Sequence, residues 1–170
     1  MDLYNYIEDV DNFPTKGVTF KDITPLLASP EARGEAVRLL HEEAGKIPVD
    51  KVAVVESRGF LFGSLLADRL GVGLVLIRKS GKLPKNTLAK AYDLEYGSSE
   101  LEIHKDAIEV GDKVLIHDDL LATGGTTLAS CHLVEQLGGE VVQLSYLIEL
   151  GFLEGRDRLK EYNLVTLMKY

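Results

Sequence analysis

Chemistry is densest where two adjacent acids run into small residues, Asp118-Asp119-Leu120-Leu121-Ala122-Thr123-Gly124-Gly125-Thr126-Thr127. The acids cannot hold an anion. They suit sugar hydroxyls or a hard cation such as Mg2+, which is usually held by one or two carboxylates plus substrate oxygens. The glycines and threonines suit the anion. Just before a helix, free backbone N–H groups and the helix dipole receive a phosphate. Gly124 and Gly125 let the backbone approach closely, and Thr123, Thr126 and Thr127 add hydroxyl donors. Asp118-Asp119 alone would read as a strand end with a capping acid. With the glycines and threonines, after a buried strand, it reads as an anchor for a phosphorylated sugar.

A second cluster is cationic. Arg78, Lys79, Lys82, Lys85 and Lys90 fall in thirteen residues with no acid among them. A solvated surface loop and a mobile clamp for a small polyanion both fit that composition, and the phosphate anchor favours the clamp. The net charge of -8 argues against a nucleic-acid surface, which needs a basic field to displace counterions.

Other chemistries are excluded by spacing. The P-loop pattern and the G-x-S-x-G elbow are absent. Gly71-Val72-Gly73 opens like a dinucleotide fingerprint, but Leu76 stands where the third glycine belongs. His41-Glu42-Glu43-Ala44-Gly45 lacks the second histidine of a zinc helix. His104, His117 and His132 have no ligand spacing and read as structural. One cysteine, Cys131, allows no internal disulfide and reads as packed inside a helix. The N-terminus has no basic and apolar leader, and no apolar run reaches the ~18 residues that span a bilayer, so the expected compartment is the cytoplasm, with no membrane partner.

The elements that must position these residues alternate. A short helix is expected over Leu3 to Val10. Ser29-Pro30-Glu31 reads as an N-cap, a first-turn proline and a first-turn acid. The helix that follows carries Ala32, Ala36, Leu39, Leu40 and Ala44 and ends at Gly45. Val52 to Val55 is a buried strand. Phe60 to Leu70 is helical, with Leu61, Leu65 and Leu66 on one face. Leu74 to Ile77 is a strand, Glu100 to Ile103 alternates, and Val114 to Ile116 is a strand set up by Gly111-Asp112. Thr126 to Leu137 is a helix capped by Gly138-Gly139, Val141 to Ile148 a strand, Arg156 to Glu161 a helix and Leu164 to Met168 a last strand. This order predicts an α/β fold over one domain, residues 1–170. It has a mostly parallel sheet flanked by helices on both faces, plus a flexible lid loop over Ser80 to Glu100. Ligands of such sheets sit beyond the carboxyl ends of the strands. There stand Glu56-Ser57-Arg58-Gly59, Arg78-Lys79 and the Asp118 loop.

The stretch Val114 to Thr127 resembles the 5-phosphoribosyl-1-pyrophosphate (PRPP) motif of type I phosphoribosyltransferases. Phe13 to Leu26, Glu56 to Phe60, Arg78 to Pro84 and Leu94 to Gly97 resemble the signatures of the adenine-using members, in order, from about Phe13 to Tyr170. The resemblance implies that adenine and PRPP give AMP and pyrophosphate, with Mg2+ as cofactor and a homodimer as the assembly. It places the 5-phosphate and ribose on Asp118, Asp119, Ala122, Thr123, Gly124, Gly125 and Thr126. It places the pyrophosphate on Arg58, Arg78, Lys79, Lys82 and Tyr96, and adenine on Phe20, Lys21 and Thr19. Mg2+ would sit near Asp118 and Asp119 through substrate or water. Glu95 would handle the proton at the purine, and Arg58 would act on the leaving group. Lys21 stands where the family commonly has arginine, which keeps the charge but loses the rigid fork. Transfer to xanthine, hypoxanthine or a pyrimidine, and a PRPP-sensing regulator, are the rival readings. The Phe20 region and the Glu56–Phe60 loop favour adenine over other bases.

Overall fold

The structure, a computed structural model, describes residues 1–93 and 98–170. The chain divides into two compact units, Met1–Leu39 and Leu40–Tyr170.

In the first unit, a 3-10 turn at Leu3–Tyr6 takes the place of the expected helix. The chain then enters β1 (Glu8–Asp11), which pairs antiparallel with β2 (Thr19–Asp22). The apolar residues of 3–10 are too few to bury a helical stripe, and the β2 partner satisfies the backbone instead. Helix α1 (Thr24–Ala28) leads to α2 (Pro30–Ala44), which crosses into the second unit. Ser29 caps α2 as expected, its hydroxyl accepting from the Ala32 N–H at 3.2 Å. Ala32, Ala36, Leu40 and Ala44 are all buried along one stripe of α2.

The second unit is a seven-stranded sheet. Its strands are β3 (Lys51–Val55), β4 (Gly73–Lys79), β5 (Thr87–Asp93), β6 (Ser98–His104), β7 (Lys113–Leu121), β8 (Glu140–Glu149) and β9 (Leu164–Lys169). The order is β5-β6-β4-β3-β7-β8-β9. The run β4-β3-β7-β8-β9 is parallel, and β5 and β6 join antiparallel at one edge. Helix α3 (Gly59–Leu70) follows β3, and α4 (Gly125–Gln136) follows β7. Successive residues of a strand point to opposite faces. Val54 meets α3, where a Cβ on Gly63 would lie 2.1 Å from its Cγ1. Ala53 and Val55 instead join the cluster built with Ala129, Leu133 and Val134 of α4. The two helices therefore cover opposite faces, as the α/β reading requires. Among the described residues no helix is long and apolar enough to cross a membrane.

Three expectations change. The segment expected as a lid contains β5 and the first three residues of β6, which pair from Thr87↔His104 to Asp93↔Ser98, and just beyond it Leu101 and Ile103 are buried. A strand over 87–93 was hidden because β5 lies at the sheet edge and its apolar residues do not alternate cleanly. The α3 face is also rotated: Phe62, Gly63, Leu66 and Ala67 are buried, whereas Leu61 and Leu65 are 44% and 39% exposed. Third, Gly155–Leu159 is a 3-10 turn rather than the helix expected over Arg156 to Glu161. At the end of α4 the expected cap holds. Gly138 sits at φ 92°, and the N–H groups of Gly138 and Gly139 donate to Glu135 O and Val134 O.

Truncation separates the two readings of α3. Phe62→Ala should cost about 3–5 kcal/mol of stability, the usual range for an emptied aromatic core site. Leu61→Ala should cost about 1 kcal/mol or less, as an exposed position does. Urea midpoints of the two variants check this, and equal losses would contradict the observed face.

Candidate functional site

The carboxyl ends of β4, β3 and β7 lie side by side because these three strands are parallel neighbours. Three polar segments therefore meet on one edge. β7 is longer than expected: it runs to Leu121, so Asp118 and Asp119 belong to the strand and Asp118 pairs with Tyr146 of β8. Their positions are thus set by the sheet ladder rather than by a loop.

Arg58, the residue before α3, reaches back to them. Its Nε lies 2.8 Å from Asp119 Oδ2. Among the described residues the same Oδ2 has no directed hydrogen bond. The two facts agree if the contact is a close ion pair of poor angle, and the distance carries the electrostatic argument. The Asp119 N–H donates to Asp118 Oδ1 at 2.9 Å. Burial and the neighbouring Asp119 charge push the Asp118 carboxyl well above the usual range. Burial also raises Asp119, and Arg58 opposes that rise. Gly59 makes the approach possible: a Cβ there would lie 2.8 Å from Asp118 Oδ1 and 3.1 Å from the His117 carbonyl.

The cations on β4 are not bare. Glu56, whose side chain is 8% exposed, accepts from Lys82 Nζ at 2.7 Å, from the Lys79 N–H at 3.0 Å and from Arg78 Nε at 3.2 Å. Burial works to raise the Glu56 carboxyl, but the bonds from Lys82, Lys79 and Arg78 hold it below its ordinary value. Arg78 also sits 6.0 Å from the centre of the Phe60 ring. The turn that carries Lys82 is tied by Glu102 on β6, which accepts the Lys82 and Leu83 N–H groups at 2.8 Å each. Burial again opposes ionisation, and these backbone bonds outweigh it.

Beyond β7 the chain turns through Ala122, Thr123 and Gly124 into α4. Gly124 caps the helix at φ 80°, which favours glycine. The first-turn N–H groups of α4 have no intrahelical partner and point towards the loop. The loop is braced by Gly155: a Cβ there would lie 2.0 Å from the Ala122 carbonyl oxygen, and one on Gly124 would lie 2.7 Å from the Gly155 carbonyl oxygen. Thr127 is not the outward donor expected. It is buried, and its hydroxyl bonds the Tyr146 hydroxyl at 2.6 Å. Thr123, Gly125 and Thr126 are half-buried at the loop.

The structure thus brings Arg58, Asp118, Asp119 and the loop 122–126 to one edge, with Arg78, Lys79 and Lys82 along the neighbouring strand end. Thr19, Phe20 and Lys21 lie on β2 in the first unit. There Thr19 Oγ1 donates to Asp11, Lys21 Nζ pairs with Asp9 at 2.6 Å, and Phe20 meets the Phe13 ring edge-on at 5.2 Å. Glu95 and Tyr96 lie outside the described residues. His117 is wholly buried and its pKa is pushed down to about 3 by burial, and Cys131 is buried and pushed up to about 12, so both are inert packing groups. Among the described residues no group of three or more His, Cys, Asp or Glu could hold a metal alone. Sequence reasoning assigned no role to Glu102, Tyr146 or Gly155. Each acts on a partner at least nineteen residues away, which leaves no local signal.

Comparison with known proteins points the same way. A profile of the phosphoribosyl transferase domain matches residues 17–168. The chain is 53% identical to the adenine phosphoribosyltransferase of Christiangramia forsetii, over all of this chain and 99% of that one. The crystal structure of adenine phosphoribosyltransferase from Thermoanaerobacter pseudethanolicus superposes with a TM-score of 0.97 at 49% identity, covering 99% of this chain and 98% of that one. The Saccharomyces cerevisiae enzyme, solved with an imino-altritol 1,6-bisphosphate and adenine, is 41% identical with a TM-score of 0.91, covering 97% and 96%.

Two substitutions test the geometry. Gly155→Ala must displace the backbone carbonyl of Ala122, an overpacking cost of about 1–3 kcal/mol. That should weaken binding of ribose 5-phosphate by about tenfold or more. Gly151→Ala meets the flexible end of the Lys169 side chain at 2.6 Å and the Tyr170 carbonyl oxygen no nearer than 3.3 Å, and should change little. Equal titration curves for the two variants would refute the bracing role. Asp118→Asn tests the electrostatics. A carboxyl whose folded pKa is raised costs stability once the pH climbs through that pKa, and costs nothing below its unfolded pKa. The asparagine variant should therefore resist urea better than the parent at neutral pH. The gap should close as the pH falls towards the ordinary value of 3.8. A gap independent of pH would contradict the burial of this charge.

Proposed function

The chain belongs to the phosphoribosyltransferase family, among its adenine phosphoribosyltransferases, and from that membership we propose how its residues divide the work of making AMP and pyrophosphate from adenine and PRPP. The observation that carries this is the single edge on which a phosphate-accepting helix start, two buried carboxylates and a row of cations meet. The family match runs from 17 to 168 and so crosses both compact units, which supports one transferase domain over residues 1–170.

In this reading the loop Ala122 to Thr126 holds the 5-phosphate, with Thr123, Gly124 and Gly125 lending backbone N–H groups. Asp118 and Asp119 accept the ribose hydroxyls. Holding both ends of the sugar fixes C1 for attack and lowers the entropic part of the barrier. A nitrogen of adenine forms the new bond to C1 as the bond from C1 to the pyrophosphate oxygen breaks. The leaving group takes the electron pair. Arg58, Arg78, Lys79 and Lys82, with Tyr96, stabilise the charge that gathers there. Glu95 takes the proton that the purine gives up. Phe20, Thr19 and Lys21 hold the base, an assignment supported by the resemblance of the 13–26 segment.

The acid pair fits a cation: burial and their mutual repulsion raise both carboxyls, Arg58 offsets this only in part, and a cation beside them would favour their ionised form. Mg2+ would be held there through substrate oxygens or water, since no described cluster would enclose it. When bound, it neutralises and orients the pyrophosphate. The homodimer is supported by exposed leucines on adjoining elements, Leu65 on α3 and Leu74 and Leu76 on β4.

The deciding experiment is a spectrophotometric assay with PRPP and a panel of bases. Adenine should be consumed to AMP, and hypoxanthine and xanthine should react at least about a hundredfold more slowly, the scale of discrimination that paired polar groups provide. Excess chelator should abolish turnover, and the same sample should sediment as a dimer. Preference for another base, or full turnover in chelator, would overturn the corresponding part of the reading.

A further inference from the structure

A cavity of 200 Å3 lies beside the helix that starts at the phosphate loop. Its walls include Lys90 and Tyr92 of β5, Gly125 and His132 of α4, and Arg158 of the last 3-10 turn. We propose that this cavity is a second anion site, which takes inorganic phosphate or diphosphate and is separate from the site of transfer.

Charge is the first argument. Among the described residues three basic side chains line the cavity and no acid does. On a chain of net charge -8 such a wall does not follow from a generally basic surface. Among the described residues Lys90, His132 and Arg158 have no ion-pair partner, whereas Arg58, Arg78, Lys82 and Arg156 are each paired with a buried acid. Glu135, on the same helix, is hydrogen-bonded to the Tyr162 hydroxyl and does not line the cavity. Like charges gathered without a counter-ion repel, and an oxyanion among them relieves that repulsion.

Shape selects the class of ligand. Sites for drug-sized ligands run to about 300–1,000 Å3, so 200 Å3 matches one or two phosphate groups better than a whole nucleotide. The donors match: the Arg158 guanidinium can span two phosphate oxygens, Lys90 is a point charge, and the His132 ring and Tyr92 hydroxyl can each donate. The site also touches the transfer machinery. Gly125 is both a wall of the cavity and the first residue of α4, so an anion here lies against the helix start that receives the 5-phosphate.

The test uses the whole protein and rests on the reading that AMP fills the 122–126 loop. With AMP saturating, inorganic phosphate is titrated by calorimetry, and the uptake that Arg158→Ala weakens should amount to one equivalent, apart from any phosphate taken by the pyrophosphate cations Arg58, Arg78, Lys79 and Lys82. Arg158→Ala should weaken that binding about tenfold or more, the usual effect of removing a charged hydrogen-bond partner. Arg158→Lys should lose less. Lys46→Ala, which lies outside the cavity and pairs with Glu43, should lose nothing. Arg158 is exposed, so its loss should not unfold the chain. No phosphate uptake beside AMP, or uptake that ignores Arg158→Ala and Lys90→Ala alike, would overturn the proposal. Failure of AMP itself to bind would instead count against the transferase reading. Phosphate would then be titrated alone, with Arg158→Ala still required to weaken it.

Discussion

Two carboxylates at the end of β7 share one guanidinium. Asp118 and Asp119 are held close by the ladder to β8, burial denies them water, and among the described residues Arg58 alone comes to ion-pair distance, at Asp119. Most of the candidate site follows from that imbalance. Carboxyls crowded together out of water favour any hydroxyl hydrogen or cation that stabilises their ionised form. In the proposed reading the N–H groups at the start of α4 receive the phosphate on one side, and Arg78, Lys79 and Lys82 the pyrophosphate on the other. The missing Cβ of Gly59 lets α3 begin against Asp118, which brings Arg58 within reach.

The cationic side is held by acids of the chain itself. Glu56 and Glu102 are both largely buried acids, and a buried charge is costly unless it is hydrogen-bonded. Each is satisfied by groups of the same short stretch: Glu56 by Arg78, Lys79 and Lys82, Glu102 by the backbone of Lys82 and Leu83. Two acids thus hold the turn that presents the cations, which lowers the ordering cost that a polyanion would otherwise meet. On the far side, Gly155 and the Thr127–Tyr146 pair brace the phosphate loop by contact and hydrogen bond.

How legible this was depends on the range of each interaction. The loop after β7 was readable because glycines, threonines and a helix start stand together in ten residues. Strand ends carrying Arg58 and Arg78 were readable because buried apolar runs precede them. The edge strand β5 was not, because its pattern is interrupted and its partner supplies the order. The face of α3 was misjudged because Leu61 and Leu65 share a helical spacing with buried positions, and only the neighbouring Val54 decides which side the sheet covers.

By itself the sequence determined the α/β class, the parallel core of the sheet and the chemical types at its carboxyl edge. Hydrophobic periodicity and turn residues are local, and they are written within a few positions of where they act. Tertiary structure alone decided that Arg58 pairs with Asp119, that Glu56 takes up Arg78 and Lys82, that Thr127 turns inward to Tyr146, and that Gly155 must be glycine. Each of these depends on distances of a few ångströms between segments that the chain keeps far apart. No spacing of residue types along one strand or helix encodes such a distance.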